Sequence, residues 1–311
     1  MGIIKGICIS EKRGTQKHEV SEAKLIADWG IENDAHAGHW HRQVSLLSLE
    51  KIEAFRARGV EVEFGAFGEN LVVEGFDLSK VPVGTKFQIG EAILELTQIG
   101  KECHSHCAIY KVMGDCIMPR EGVFTRVLKG GEIKAGDEIT RLPLEKDRPF
   151  TAAVITLSDK GVAGEREDKS GPLIQEMLMK EGYDVIETLL LPDGEQPLKH
   201  QLMRLADQRQ VNVIFTTGGT GFAERDVTPE ATQAVCDRMA MGIADAIRQY
   251  SLSITGRAML SRAVSGIRKK TLIVNLPGSP KAVKESLEYV LPHLGHGLGI
   301  LRGTDGECGN S

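Results

Sequence analysis

The segment Thr216-Thr217-Gly218-Gly219-Thr220-Gly221 places three glycines within four residues, separated only by Thr220. Backbone N–H groups left uncovered by side chains can close on an anion, so this composition points to phosphate chemistry. No Gly-Lys-Ser/Thr follows, which excludes a Walker loop, and the spacing is not that of the dinucleotide fingerprint. Alone, such a cluster serves equally well as a tight turn between a strand and a helix. Two acids stand in turns of similar composition, Asp193 in Pro192-Asp193-Gly194 and Asp226 in Arg225-Asp226-Val227-Thr228-Pro229. Mg²⁺ takes one or two carboxylates and completes its shell with water and substrate phosphates, so Asp193 and Asp226 are the expected metal ligands. No residue stands out as a covalent nucleophile. Positioning and charge neutralisation suffice for transfer at phosphorus.

A second centre is Glu102-Cys103-His104-Ser105-His106-Cys107, followed by Cys116. Two thiols and two imidazoles in five positions are soft ligands, and zinc is the first metal to consider. The spacing argues against a structural zinc site, because no second Cys/His pair follows at the usual distance. The alternatives are a thiolate activated by Lys101 and the histidines, or cysteines that simply pack in a core. His39-Trp40-His41 reads as a surface turn more than as a ligand set.

The elements that must position the phosphate chemistry lie beyond Pro149. Apolar or β-branched runs predict strands at 151–157, 184–191, 211–216 and 271–276. Helices are expected at 170–180 with Ser170 as N-cap, 196–208, 228–239 with Thr228 as N-cap and Pro229 next, 243–254, and from 280 to about 291. Strand and helix alternate, which predicts a parallel sheet with helices on both faces and ligands at the carboxyl ends of the strands. Those ends carry Ser158-Asp159 with Asp168, Ser170 and Gly171 at the next helix; Pro192-Asp193-Gly194; the glycine loop and Asp226; and Pro277-Gly278-Ser279-Pro280. Four such turns at one sheet edge indicate a built site.

The first half is β-rich, with strands at 2–10 and 43–47, a helix at 48–58 with Leu49, Ile52 and Phe55 on one face, a hairpin turning at Gly90-Glu91, and further strands about Gly130-Gly131 and Gly136. A small closed or mixed β domain fits best. At 311 residues the chain has the length of two domains. The expected boundaries are residues 1–142, a proline-bounded linker at 143–149, residues 150–301, and a glycine-rich, polar tail at 302–311 that reads as disordered.

The formal net charge is −5, and acids outnumber bases in each half, which argues against a duplex-binding surface and against nucleic acid as a partner, while leaving room for a local basic groove. No apolar run could span a bilayer, and the N-terminus lacks a signal-peptide pattern, so the chain is expected in the cytoplasm without a membrane partner. Six cysteines, four of them before residue 120, do not form a disulfide framework in a chain of this kind.

Asp34-Ala35-His36-Ala37-Gly38, His41-Arg42-Gln43-Val44-Ser45-Leu46-Leu47, Phe67-Gly68-Glu69-Asn70-Leu71 and the Cys103/Cys107 segment resemble the MOSC domain, the C-terminal module of molybdenum-cofactor sulfurases. The resemblance implies a β-barrel-like fold that binds the molybdenum cofactor or its sulfur, with Cys103 or Cys107 as the site thiol.

The second half resembles the MogA-like molybdopterin-binding family. The residues that carry the likeness are Ser158-Asp159, Asp168 with Ser170-Gly171, Pro192-Asp193, Thr216 to Gly221, Arg225 to Ala231, Leu260-Ser261-Arg262, Gly266-Ile267-Arg268, and Asn275 to Pro280. The likeness implies a three-layer α/β domain that adenylylates molybdopterin with Mg²⁺ and ATP, as a homotrimer, with Asp193 and Asp226 essential. It also implies a substrate- and nucleotide-binding set of Ser158, Asp159, Ser170, Thr217, Gly218, Gly219, Thr220, Gly221, Arg225, Asp245, Ser261, Arg262, Pro277, Gly278 and Ser279. One departure is Met241-Gly242-Ile243-Ala244-Asp245, where the family commonly has Pro-Gly and then Glu. The expected function is therefore molybdenum-cofactor biosynthesis, with other molybdenum enzymes as further partners. The alternative is a non-catalytic cofactor carrier.

Overall fold

Strand pairing closes on itself in the first of the two units, Met1–Glu145 and Lys146–Ser311, into which the computed structural model divides. Residues 1–102, 110 and 114–305 are described. The first unit holds β1 (Gly2–Ile9), β2 (His18–Val20), β3 (Glu22–Ile26), β4 (Gly30–Ile31), β5 (Val44–Ser48), α1 (Leu49–Arg56), β6 (Leu71–Glu74), β7 (Lys86–Ile89), β8 (Ala92–Ile99), α2 (Met118–Glu121), β9 (Val123–Lys129), β10 (Gly131–Lys134) and β11 (Glu138–Arg141). The order β11-β7-β8-β9-β5-β6-β1 returns to β11 through the pairing of Gly2 with Ile139, giving a seven-stranded barrel with β2 appended. Alternation fills the inside, where Ile4, Leu46, Val73, Phe87, Leu94 and Ile139 are buried in one cluster. Ile52 and Phe55 of α1 turn inward on the face expected of them. The β7–β8 hairpin turns at Gly90, whose φ of 55° is the left-handed backbone that glycine accepts freely.

The second unit continues with β12 (Thr151–Leu157), α3 (Asp159–Val162), α4 (Ser170–Lys180), β13 (Asp184–Leu191), α5 (Glu195–Met203), β14 (Val213–Thr217), α6 (Thr228–Val235), β15 (Arg238–Met239), α7 (Met241–Ile254), β16 (Ser265–Arg268), β17 (Thr271–Leu276) and α8 (Pro280–Arg302). The sheet runs β13-β12-β14-β17-β16-β15. The first four strands are parallel, and β16 and β15 extend the edge antiparallel. One face packs on α4 and α8 through Ile174, Leu178, Val283 and Leu287, the other on α5 and α6 through Leu198, Leu202, Ala231 and Val235. Helices thus cover both faces, as a buried parallel sheet requires.

Three elements of the second unit differ from the sequence reading. The helix expected at 228–239 ends at Val235, because Cys236 turns extended at φ −78° and ψ 140° and Arg238–Met239 pair with Ile267 and Gly266 at the sheet edge. The strand Ser265–Arg268 carries no pattern that marks it in the sequence; it is four residues long and joined to β17 through Lys269 at φ 51°. The last helix passes Pro292 and reaches Arg302, since Val290, Leu291, Leu294 and Leu298 keep an apolar face against the sheet that outweighs one interior proline. Arg302 therefore does not begin the tail: Gly303 caps the helix at φ 83°, and the N–H groups of Thr304 and Asp305 return to Gly299 O. The remainder of the tail, 306–311, lies outside the described residues. Among those described, no helix is long and apolar enough to cross a membrane.

Candidate active site

The parallel register puts Thr156 beside Thr217 and Thr217 beside Leu276, so the turns after β12, β14 and β17 emerge side by side. Their backbones are tied together. Thr217 Oγ1 donates to Pro277 O at 2.6 Å, Ser170 Oγ donates to Gly278 O at 3.0 Å, and Thr228 Oγ1 donates to Gly218 O at 2.9 Å. Gly218 and Gly219 adopt φ of 94° and 65°, and a methyl on either would strike Leu157 O or Thr228 Oγ1. The loop can hold this shape only with glycine at both positions. It encloses, with the turns around it, a cavity of about 730 Å³. Its floor is Thr156, Leu157 and Ser158; Thr217 and Gly218 form one wall, Asp168 and Ser170 another, and Gly278 and Ser279 a third.

Two helices begin at this cavity. Asp168 Oδ1 accepts the N–H groups of Ser170 and Gly171, both at 3.0 Å, and thereby caps α4. Ser170 is not the cap expected of it; its hydroxyl is turned to Gly278. Likewise Thr228 lies inside α6, with Val227 at the N-cap, and its hydroxyl holds the glycine loop. Ser279 caps α8, accepting the N–H of Ala282 at 3.3 Å. A helix N-terminus carries positive partial charge; at α4 the Asp168 carboxylate already takes the Ser170 and Gly171 N–H groups and Pro172 has none, so it is the start of α8 that favours an anion in the cavity.

The barrel unit has its own buried polar cluster. Lys17 Nζ lies 2.7 and 2.9 Å from the two carboxylate oxygens of Asp34, both side chains being closed to solvent. Asn70 Nδ2 donates to Asp34 Oδ2 at 3.2 Å and to Cys8 O at 2.9 Å, and Ser10 N–H donates to Asp34 Oδ1 at 3.0 Å. The Asp34 carboxyl is held below its usual range: burial opposes ionisation, but the Lys17 ammonium and these donors overcome it. His36 Nδ1 stands 3.3 Å from Lys17 Nζ. An ammonium only donates, so Nδ1 is the acceptor and the imidazole proton sits on Nε2. Burial first, then Lys17, lowers the His36 pKa and keeps the ring neutral. Glu69 accepts the N–H groups of Gly65 and Phe67 at 2.8 and 3.1 Å, and burial raises its carboxyl to about 7. His39 is at the surface, 3.2 Å from Asp28. Cys103 and Cys107 lie outside the described residues, and among those described no group of three or more His, Cys, Asp or Glu side chains could hold a metal ion.

Comparison with known families matches residues 153–296 to "Probable molybdopterin binding domain" and residues 33–140 to "MOSC domain". The molybdopterin adenylyltransferase of Helicobacter pylori is 40% identical over 153 residues, covering 49% of this chain and 87% of that protein. The chain belongs to the molybdopterin adenylyltransferase family. The adenylyltransferase of Escherichia coli K12 is 43% identical over 140 residues, covering 44% of this chain and 71% of its own length. The solved structure of the molybdopterin biosynthesis enzyme MoaB from Thermus thermophilus is 45% identical and covers 50% of this chain and 97% of its own, with a TM-score of 0.48.

Of the residues expected to act in an adenylyltransferase site, the cavity gathers Ser158, Ser170, Thr217, Gly218, Gly278 and Ser279. Asp159, Asp193, Gly219, Thr220, Gly221 and Pro277 stand in the adjoining turns without lining it. Asp193 lines neither the cavity nor the separate depression of about 390 Å³ that Asp226 lines with Phe222, Glu230 and Arg262. The reason is local: Asp226 Oδ2 accepts the N–H of Ala223 at 2.9 Å and folds the carboxylate onto its own loop. Arg262 does not stand free to neutralise a phosphate, because Nε donates to Gly221 O at 2.6 Å and the other nitrogens to Asp226 O and Glu230. Asp245 pairs at 2.6 Å with Arg248 on the exposed side of α7, and Ser261 Oγ accepts the N–H of Ala263 at 3.3 Å. Arg225 is exposed. The basic groups on the cavity are instead Arg166 and Lys169. Inside the run Glu165-Arg166-Glu167-Asp168-Lys169 they read as solvated loop; their place between a strand end and the next helix was the available signal.

Proposed function

We propose that the C-terminal unit transfers the adenylyl group of ATP to the terminal phosphate of molybdopterin, and that the N-terminal unit binds the finished cofactor or a sulfur species. The observation that carries the reading is the cavity, in which a glycine loop that tolerates no side chain faces the N-terminus of α8. A phosphate oxygen of molybdopterin attacks the α-phosphorus of ATP, a new P–O bond forms, and the bond to the bridging oxygen breaks as pyrophosphate leaves. Gly218 N–H and the start of α8 cradle phosphate oxygens, and Arg166 and Lys169 offset their charge. Asp193 suits Mg²⁺, because its Oδ1 accepts no hydrogen bond among the described residues and one carboxylate completed by water and substrate phosphates is enough for that ion; Asp226, expected beside it, lines the separate depression instead. The ion would neutralise charge as pyrophosphate departs.

In the N-terminal unit, His36 Nε2–H and one thiol, Cys103 or Cys107, are the groups we assign to the cofactor or sulfur species. The homotrimer implied by the resemblance we place on the apolar groove between α7 and α8, where Ile243, Val290, Leu294 and Ile300 border about 520 Å³. A cofactor carrier is the second reading. The Asp245–Arg248 pair favours it, because one expected contact is turned away from the cavity. Pyrophosphate release that requires ATP and molybdopterin together supports transfer; binding of both without release leaves the carrier.

A further inference from the structure

Thr156 is 5% exposed, and its Oγ1 is buried without a hydrogen-bond partner. Buried polar groups are paired in the great majority of cases, and an orphan hydroxyl lowers stability. Valine has nearly the same shape and the same preference for strands, and would fill this position without that cost. Yet Thr156 is the last inward residue of β12 on this face, at the floor of the cavity.

Gly171 locates the hydroxyl. A Cβ on Gly171 would come within 2.6 Å of Thr156 Oγ1 and 2.5 Å of Asp168 Oδ2, so both oxygens pack against the Gly171 backbone, close to one another, and Thr156 and Asp168 both border the cavity. Asp168 Oδ1 is committed to the N–H groups of Ser170 and Gly171, which orients the carboxylate, while Oδ2 accepts no hydrogen bond among the described residues. A fixed acceptor and a hydroxyl without a partner therefore adjoin on the wall and floor of one cavity. The carboxylate repels a phosphate, so the pair together does not suit one.

We propose that Thr156 and Asp168 form the polar subsite for the amino and ring-nitrogen edge of a fused heterocycle. Adenine and pterin both carry that edge. The exocyclic amine donates to Asp168 Oδ2, and the neighbouring ring nitrogen pairs with the Thr156 hydroxyl, which can donate or accept. An oxo group in place of the amine would face a carboxylate oxygen with no proton between them, so inosine and lumazine are rejected where adenine and pterin are accepted. The proposal rests on the cavity being the adenylyl-transfer site.

The test uses the full chain, with α,β-methylene-ATP titrated by calorimetry and neopterin by its fluorescence. Thr156→Val is expected to bind one of the two ligands about tenfold more weakly, the worth of one hydrogen bond, while its Tm equals or exceeds that of the wild type. Whichever ligand weakens names the heterocycle seated there, and preference over its oxo counterpart falls with it. Thr156→Ser retains binding within about threefold, because the hydroxyl remains. Unchanged affinity for both ligands in Thr156→Val overturns the proposal. So does a Tm several degrees lower with both affinities reduced, the mark of a structural hydroxyl. A wild-type chain that binds neither ligand overturns the adenylyl-transfer reading instead, and the proposal with it.

Discussion

Asp159 and Asp193 hold each other's backbone: Asp159 Oδ1 accepts the N–H of Asp193 at 2.9 Å, and Asp193 Oδ2 accepts the N–H of Asp159 at 3.2 Å. The exchange fastens the turn after β12 to the turn after β13 and leaves one oxygen on each carboxylate for other work. Asp193→Ala should lower adenylyl transfer by about 10²–10³, the usual effect of deleting one electrostatic contact to a transferring group. Asp159→Ala should cost less, about tenfold, because it releases Asp193 without removing it. Steady-state rates with Mg²⁺-ATP check both, and equal rates in the two variants would remove the distinction.

Arg262 has a structural task that its sequence position concealed. Its guanidinium joins Gly221 O, Asp226 O and Glu230, so one side chain ties the end of the glycine loop to the start of α6. Arg262→Ala is expected to lose about 1–3 kcal/mol of stability in denaturant unfolding, and Arg262→Lys to recover little of it, since an ammonium cannot reproduce the planar fork. Full recovery by lysine would mean that charge alone matters.

Gly218 tests the loop directly. At φ 94° an alanine is strained by about 1–2 kcal/mol, and its methyl would meet Leu157 O. Gly218→Ala should abolish detectable transfer and retain the circular dichroism of the wild type. Wild-type turnover in that variant would show that the loop does not approach phosphate.

Glu69 gives the barrel unit a pH signature. Burial lifts its carboxyl from the ordinary 4.5 to about 7, so the folded chain binds this proton more tightly than the unfolded chain does. Its stabilising contribution is whole below about pH 4.5 and is lost as pH rises through 7, up to roughly 3 kcal/mol. Asp34, held below its usual range, acts with the opposite sign and only in acid. Calorimetry of the full chain should show the barrel transition falling between about pH 5 and 7.5, and Glu69→Gln should flatten that slope while losing one of the two N–H contacts. The same slope in both proteins would contradict the assignment.

The adenylyltransferase half was legible where local chemistry decided the structure. β12, β13 and β17 are β-rich runs ended by turn residues, and the strand-end rule put Ser158, Gly218 and Gly278 at one edge, where the structure has them. What the spacing could not tell is which way a turn residue points. Asp226 and Thr228 looked like a ligand and a cap; hydrogen bonds within the loop turn one to Ala223 and the other to Gly218. Barrel closure was hidden for another reason, since Gly2 meets Ile139 across almost the whole unit and no local pattern encodes that pairing. The motif Phe67 to Leu71 carried the family likeness, but its role of ordering a buried polar cluster emerges only once Glu69 and Asn70 are seen with Lys17 and Asp34.

Formation of adenylylated molybdopterin by the purified full chain, followed by chromatography with pyrophosphate measured in parallel, tests the central claim most directly. The account predicts one pyrophosphate per adduct, dependent on Mg²⁺, ATP and molybdopterin together, and nearly abolished in Asp193→Ala. Molybdopterin that is bound but never adenylylated, or adduct formed at the same rate in Asp193→Ala, would contradict it.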